Sequence, residues 1–183
     1  MNHLGTTQLQ TNRLLLRRLS LDDATSMFNN WASDPCVTKH LTWPTHKNID
    51  VTITILKEWV DNYKYNNFYQ WGIVLKESNE LIGSISVVSI DENNKEVEIG
   101  YCLSRAWWNK GITTEALAKL IQFFFEEVKV DKIVAKHDIN NPASGKVMIK
   151  NNMKHEKTLS NAATTSNNEL CDVAYYSIIK SNY

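Results

Sequence analysis

Residues 104–117 read SRAWWNKGITTEAL: two tryptophans, an Asn-Lys pair and one glycine, followed by a run of good helix formers. The chain holds only six glycines, and Gly111 stands between a bulky basic turn and a helix start. Strand, glycine turn and helix in that order make a general anion site. The first N–H groups of a helix have no internal partners and point outward at its positive end. Gly111 would let an anion reach the backbone, and Lys110 adds a mobile positive charge. On these residues alone an ordinary strand-to-helix turn, with glycine supplying a positive φ, competes with that reading. Two other phosphate motifs are excluded. In a Walker A loop the lysine follows its second glycine, whereas Lys110 precedes Gly111, and no Gly-x-Gly-x-x-Gly fingerprint is present.

Upstream of the turn, FYQWGIVLK (68–76), ELIGSISVVSI (80–90) and KEVEIGYCLS (95–104) are strand-like runs separated by the polar breaks ESN and DENN. They predict an antiparallel meander. Downstream, the pattern predicts a helix over 113–128, a strand KIVAKHDI (132–139) and a helix over 142–150. Two more strands follow, MKHEKTL (153–159) and ELCDVAYYSII (169–179), with SNAATTSNN (160–168) as a mobile hairpin loop. At the start of the chain, RLLLRRL (13–19) reads as a strand, and Ser20 and Asp23 have capping-box spacing. A helix over 21–33 should end near Asp34-Pro35, with a short helix or turn over 36–41. Ile49, Ile53, Leu56, Val60 and Tyr63 keep helical spacing and predict one amphipathic helix over 49–66. The order predicts an α+β (α/β mixed) fold, a central mixed sheet of about seven strands flanked by helices. At 183 residues it reads as a single domain over 1–183.

Twenty basic and twenty acidic residues cancel, so composition offers no broad field for nucleic acid or an anionic membrane. The first residues lack the apolar core of a signal peptide, and no run approaches the ~18 apolar residues of a membrane span. A cytoplasmic protein is the expectation. Cys36, Cys102 and Cys171 are far apart and odd in number, which disfavours a disulfide framework; they read first as small buried hydrophobes. No histidine pair has metal-ligand spacing, and His137 beside Asp138 is alone in its segment, so no metal is expected. A homodimer through an exposed edge strand stays open.

The turn resembles the acetyl-coenzyme A loop of the GNAT acetyltransferases, patterned Gln/Arg-x-x-Gly-x-Gly/Ala, in its Trp-containing RimJ/RimL-like form. Three further stretches agree. TNRLLLRRL resembles that branch's opening Thr-x-Arg-Leu-x-Leu-Arg strand, EIGYCLSRAWWNKGITTEAL its fourth strand with loop and helix, and NNPASGKVMIKNNM its later Asn-x-x-Ser segment. Together they cover most of the chain from Thr11 to Met153. Three positions depart from the pattern. Thr113 stands where the loop has Gly or Ala, and Asn109 and Asn152 replace glycines. Asparagine tolerates left-handed backbone, and the Thr113 hydroxyl has the chemistry to cap the helix or donate to a phosphate.

The resemblance implies the GNAT fold, with strands 4 and 5 splayed so that freed amides bind the pantetheine arm and the acetyl oxygen. By position Tyr101 to Ser104 end strand 4, with Cys102 and Leu103 the expected backbone donors and the Cys102 thiol a bystander; Ser104 would join them at the cofactor. Asn109, Lys110, Gly111, Ile112, Thr113 and Thr114 would hold the phosphates, and Asn141 would touch the cofactor or fix its loop. Period two puts Glu96, Glu98 and Gly100 on one face of the strand. Glu98 is the candidate base, acting through water, with a solvent-facing carboxylate paired to a lysine as the alternative. Many relatives carry a tyrosine for the leaving thiolate at the position held here by Met148. Ser144 is the candidate acid in its place, or else a helix-capping hydroxyl. Trp31, Trp43 and Tyr65 fall in the acceptor wall, where aromatic rings suit a peptide end or an ammonium group, unless they are core. The implied activity is direct transfer of acetyl from acetyl-coenzyme A to a primary amine, foremost a ribosomal-type protein N-terminus. A polyamine or aminoglycoside acceptor, a non-catalytic acyl-coenzyme A module and a bare scaffold are the alternatives.

Overall fold

A computed structural model describes residues 1–183. Its centre is one eight-stranded sheet ordered β1-β2-β3-β4-β5-β6-β8-β7. The strands are β1 (Leu9–Gln10), β2 (Leu14–Arg17), β3 (Gln70–Leu75), β4 (Leu81–Asp91), β5 (Glu96–Leu103), β6 (Lys132–Asp138), β7 (Lys154–Thr164) and β8 (Leu170–Ile179). The extra strand is β1, two residues long, too short to carry a period. Only β5 and β6 pair in parallel; every other neighbour is antiparallel, including the expected β3-β4-β5 meander.

Helices cover both faces, because both faces of the central strands are apolar: all six residues of β3 are buried. On one face lie α4 (Ile112–Phe123), its π-helical extension Phe124–Val128, and α5 (Pro142–Lys150). Here Leu120, Phe123 and Phe124 pack with Tyr69, Trp71 and Ile133, and the Tyr69 and Phe124 rings meet edge-on at 5.0 Å. On the other face are α1 (Ala24–Met27), α2 (Pro35–Thr38) and α3 (Ile49–Asn62), where Met27, Trp31 and Leu56 pack over Leu19, Val74 and Leu81. The segment predicted as one helix over 21–33 is a 3-10 turn Leu21–Asp23, then α1, then a π-helical turn Phe28–Ala32. Asp23 starts it as its spacing predicts. Its carboxylate accepts from the Ser20 N–H at 2.8 Å, while Arg17 donates to both its oxygens at 2.8 Å.

Two boundaries differ from the sequence expectation. The amphipathic helix stops at Asn62, four residues short of its predicted end, where Tyr63 leaves the helix to bond the Leu19 amide and the Gln70 carbonyl. The segment expected as a mobile hairpin loop is mostly strand, since β7 runs on to Thr164 through two register shifts. Apart from Ala163, every residue of β7 is exposed, so an edge ladder there needs no apolar alternation for the pattern to reveal.

The irregularity that shapes the molecule lies in the middle of the sheet. β5 follows β4 along its whole length, from Glu96 opposite Asp91 to Leu103 opposite Gly83, yet it pairs with β6 only over Glu96–Glu98. Beyond Glu98 the two strands part. A bulge in β4 between Val87 and Ser89 sits opposite Glu98 and Ile99, and a bulge bends and overtwists its strand at the point where β5 must leave β6. Gly83 lets β4 keep hold of the diverging end: a side chain there would collide with the Cys102 carbonyl.

Candidate active site

The gap between β5 and β6 exposes backbone. Ser104 N–H donates to the Ile82 carbonyl at 2.7 Å, and bonded pairs alternate along an antiparallel ladder, so Cys102 N–H also faces β4. The amides of Tyr101 and Leu103 therefore face the gap. This corrects the sequence expectation at Cys102 and Ser104, whose N–H groups belong to the sheet, and it makes Tyr101, rather than Cys102, the second donor beside Leu103. A single known bonded pair on β5 was the missing signal, because period two decides the rest.

At the end of β5 a 3-10 turn, Arg105–Trp107, leads into the anion turn. Gly111 is the N-cap of α4 with φ +73°, and Asn109 also has positive φ, +59°. Asn152 does the same at +60°, so both asparagines take the left-handed backbone expected of them. An added Cβ at Gly111 meets only Arg13 Nη2, at 3.6 Å, so backbone conformation rather than crowding from within selects glycine. The N–H groups of Ile112, Thr113 and Thr114 have no protein acceptor, and no side chain caps the helix, the Thr113 hydroxyl included. Lys110 Nζ lies 4.3 Å from the Trp107 ring centroid, and the Trp108 indole N–H donates to the Leu103 carbonyl at 2.8 Å. Trp107 also packs against the sheet's core cluster, so both tryptophans anchor the turn to the sheet.

A clamp from the start of the chain holds this turn. The Glu115 carboxylate accepts from the Thr11 hydroxyl at 2.5 Å, the Arg13 amide at 3.0 Å and Arg13 Nε at 2.7 Å, while Arg13 Nη1 donates to the Lys110 carbonyl at 3.0 Å. Sequence reasoning missed it because its members lie about a hundred residues apart. Burial pushes the Glu115 carboxyl upward, but the bonds from Thr11 and Arg13 outweigh it and hold the group below the ordinary glutamate value. A depressed carboxylate stabilises the fold above its unfolded-state value, and that contribution is lost as pH falls through the folded-state value. Denaturant titrations of Glu115→Gln against the parent should therefore differ at pH 7, by about 1 kcal/mol or less for so exposed a pair. The difference should vanish in acid, below the glutamate range.

Two side-chain pairs line the sheet face covered by α1–α3. Glu98 stands at the last β5–β6 pair, 3.0 Å from Lys136 Nζ. Two residues further along β6, Asp138 accepts from His40 Nδ1 at 2.6 Å and from the Asn140 amide at 2.9 Å. Nearby, Cys102 Sγ lies 3.4 Å from Ser84 Oγ; burial pushes its thiol up and keeps it protonated, a poor nucleophile. On the opposite face the Tyr101 hydroxyl lies 3.0 Å from both the carbonyl and the hydroxyl oxygen of Ser144, and burial pushes the phenol well above its usual value. Asn141, not Ser144, caps α5: its side chain accepts from the Ser144 amide. Met148 is buried in the core.

Residues 13–154 match the family model described as an acetyltransferase (GNAT) domain. The chain belongs to the GNAT acetyltransferase family. It is 32% identical over 176 residues to an uncharacterised N-acetyltransferase, p20, of Bacillus licheniformis, covering 96% of this chain and 97% of that one. Over 90 residues, 49% of this chain and 50% of the relative, it is 36% identical to the ribosomal-protein-serine acetyltransferase of Escherichia coli K12. Its fold matches the crystal structure of the microcin C7 self-immunity acetyltransferase MccE in complex with acetyl-CoA and AMP. That likeness has a TM-score of 0.83 at 24% identity, covering 92% of this chain and 93% of that chain.

As a GNAT enzyme the chain is an acetyl-coenzyme A-dependent N-acetyltransferase, and its own residues fit that donor. Three unpartnered N–H groups and Lys110 suit a pyrophosphate, and the Tyr101 and Leu103 amides suit an extended amide-bearing arm. Of the three aromatic residues expected in the acceptor wall of this GNAT domain, Trp31 is corrected: it is 0% exposed and packs in the core beneath α1–α3. Trp43 is half-buried against the same cluster, its ring tilted on His46 at 5.4 Å. Tyr65 is exposed beyond the end of α3, with Lys64 Nζ 5.0 Å from its ring centroid. A concavity of about 660 Å³ lies away from the splay, between the outer side of α4 and Asn182–Tyr183; it is open and polar, without the splay's freed amides.

Proposed function

We propose that this GNAT domain acetylates a protein N-terminal α-amine, ribosomal-type in the first instance, by direct attack of the amine on the donor's thioester. One observation carries the reading: a gap in the sheet has an unpartnered helix N-terminus at one end and the Glu98 carboxylate at the other. The thioester carbon is the electrophile the donor supplies. The turn Asn109–Thr114 holds the phosphates, the Leu103 and Tyr101 amides hold the arm and the acetyl oxygen, and Asn141 fixes the loop that starts α5. Glu98 accepts an amine proton through water. Ser144, aligned by Tyr101, returns a proton to the departing thiolate. Trp43 and Tyr65 offer rings to the peptide end. The peptide choice draws on the matched Escherichia coli relative, whose name specifies a ribosomal-protein serine.

The test is a panel of amines under saturating acetyl-coenzyme A: peptides with ribosomal-protein N-termini, serine-initiated ones included, against polyamines and aminoglycosides. Preference for the peptides supports the reading, and preference for a small polycation overturns it. In the same assay Glu98→Gln should lower kcat by about 100-fold, the lower range for a removed general base, with the donor's Kd unchanged. A Glu98→Gln variant as fast as the parent would leave Glu98 as an ordinary ion-paired strand carboxylate.

A further inference from the structure

His40 and Asp138 form a pair that neither the expected site nor the family motifs include. Asp138 ends β6, and its side chain is 4% exposed. Both its oxygens are engaged, one by the Asn140 amide at 2.9 Å and the other by His40 Nδ1 at 2.6 Å. Burial alone would raise the carboxyl, yet these bonds hold it below the usual aspartate value, so it accepts and His40 Nδ1 must donate. That fixes the tautomer. In the neutral imidazole Nε2 then carries the lone pair, on a side chain 19% exposed and with no protein partner.

The location matters as much as the geometry. Glu98 pairs with Val134 at the last rung before the splay, so Asp138, four residues further along β6, lies level with Cys102 across the gap. Lys136 and Asp138 share the face that carries the Glu98 pair, the face on which α2 and the segment after it, with His40 and Trp43, are packed. His40 thus stands at the acceptor side of the stretch of β5 whose Tyr101 and Leu103 amides are free.

We infer that His40 Nε2, oriented by Asp138, is a second proton acceptor of this acetyltransferase, taking the first proton from the incoming ammonium group. The inference rests on the acceptor reading above and divides the work within it. Nitrogen loses two protons between ammonium and amide, one before it can attack and one as the N–C bond is completed. An α-ammonium has an ordinary pKa of roughly 7.7–8.0, an imidazole about 6.5 and a glutamate about 4.3, so imidazole is the better matched acceptor for the first proton by about two units. Glu98 takes the second through water. As the N–C bond forms the C–S bond breaks, and the sulfur receives one proton from the Ser144 side. One proton per turnover goes to solvent. The arrangement parallels a catalytic triad, in which a buried aspartate selects the histidine tautomer without itself accepting the proton.

The structural alternative is a tie that pins the segment after α2 to the sheet, and His40→Asn separates the two. Asparagine places its amide N–H₂ where Nδ1 stands, so it keeps the donor to Asp138 and removes Nε2. On the best amine of the panel, His40→Asn should lower kcat by about 100-fold with the acceptor KM and donor Kd within about threefold of the parent. Retained activity would overturn the inference, while leaving the acceptor reading to its own panel. Imidazole ¹⁵N NMR of the uncomplexed protein supplies a readout independent of turnover. The signal missing from His40→Asn should show a protonated Nδ1 and a bare Nε2, and Asp138→Asn should abolish that preference and lower kcat. A bare Nδ1 in the parent would overturn the dyad whatever the amine panel finds.

Discussion

Gly111→Trp should weaken acetyl-coenzyme A binding by about three orders of magnitude in a calorimetric titration, while the protein stays folded. Gly111 sits at φ +73° with little around it, so the indole has room in the ligand-free protein. An L-residue in this left-handed conformation costs about 1–2 kcal/mol, a modest loss of stability. The ligand meets a different situation, because the side chain projects where the anion must lie against the Ile112, Thr113 and Thr114 amides. Three hydrogen bonds to a charged acceptor, at about 1.5 kcal/mol each, sum to about 4.5 kcal/mol, or about a thousandfold in Kd. Gly111→Ala is the control: it carries the same backbone strain with little bulk, and its Kd should move far less. Unchanged binding by Gly111→Trp would place the phosphates elsewhere and leave this glycine as an ordinary turn.

Trp31→Ala should lower stability by about 4 kcal/mol without affecting acceptor recognition. Trp31 is 0% exposed and packs with Met27, Leu56 and Leu81 between α1, α3 and the sheet. Truncating a buried tryptophan costs about 3–5 kcal/mol through lost burial and the cavity left behind. For a chain of this size each kcal/mol lowers Tm by roughly 2–4 °C, so a fall of roughly 8–16 °C is expected in a thermal melt. Measured well below the melt, the acceptor KM should stay within about twofold of the parent's. A large KM change with little change in Tm would restore Trp31 to the acceptor wall.

The sequence assigned Trp31 to that wall by its place along the chain, and place cannot distinguish the two sides of a helical segment that changes winding. The 3-10, α and π turns of residues 21–32 break the even 100° step on which a face assignment relies. Glu98 shows the opposite case. Its face followed from strict alternation along β5, which the structure keeps, and Lys136 then pairs with it from β6. For Ser144 the choice between acid and helix cap was decided by neighbours distant in sequence: Asn141 took the cap, and Tyr101, from a strand about forty residues earlier, took the hydroxyl.

What the sequence determined by itself is whatever depends on local order. The β-meander, the helix starts, the Ser20–Asp23 start signal, the glycine turn before α4 and the left-handed asparagines all follow from the preferences of a few adjacent residues. The tertiary structure alone decided what depends on which strands meet and where they part. The bulge in β4 releases β5 from β6, ladder parity turns the Tyr101 and Leu103 amides into the gap, and the Glu115 clamp and the His40–Asp138 pair close across about a hundred residues of chain. No local preference encodes those meetings, because each depends on long-range packing that brings the elements together only once the sheet and its helices have formed.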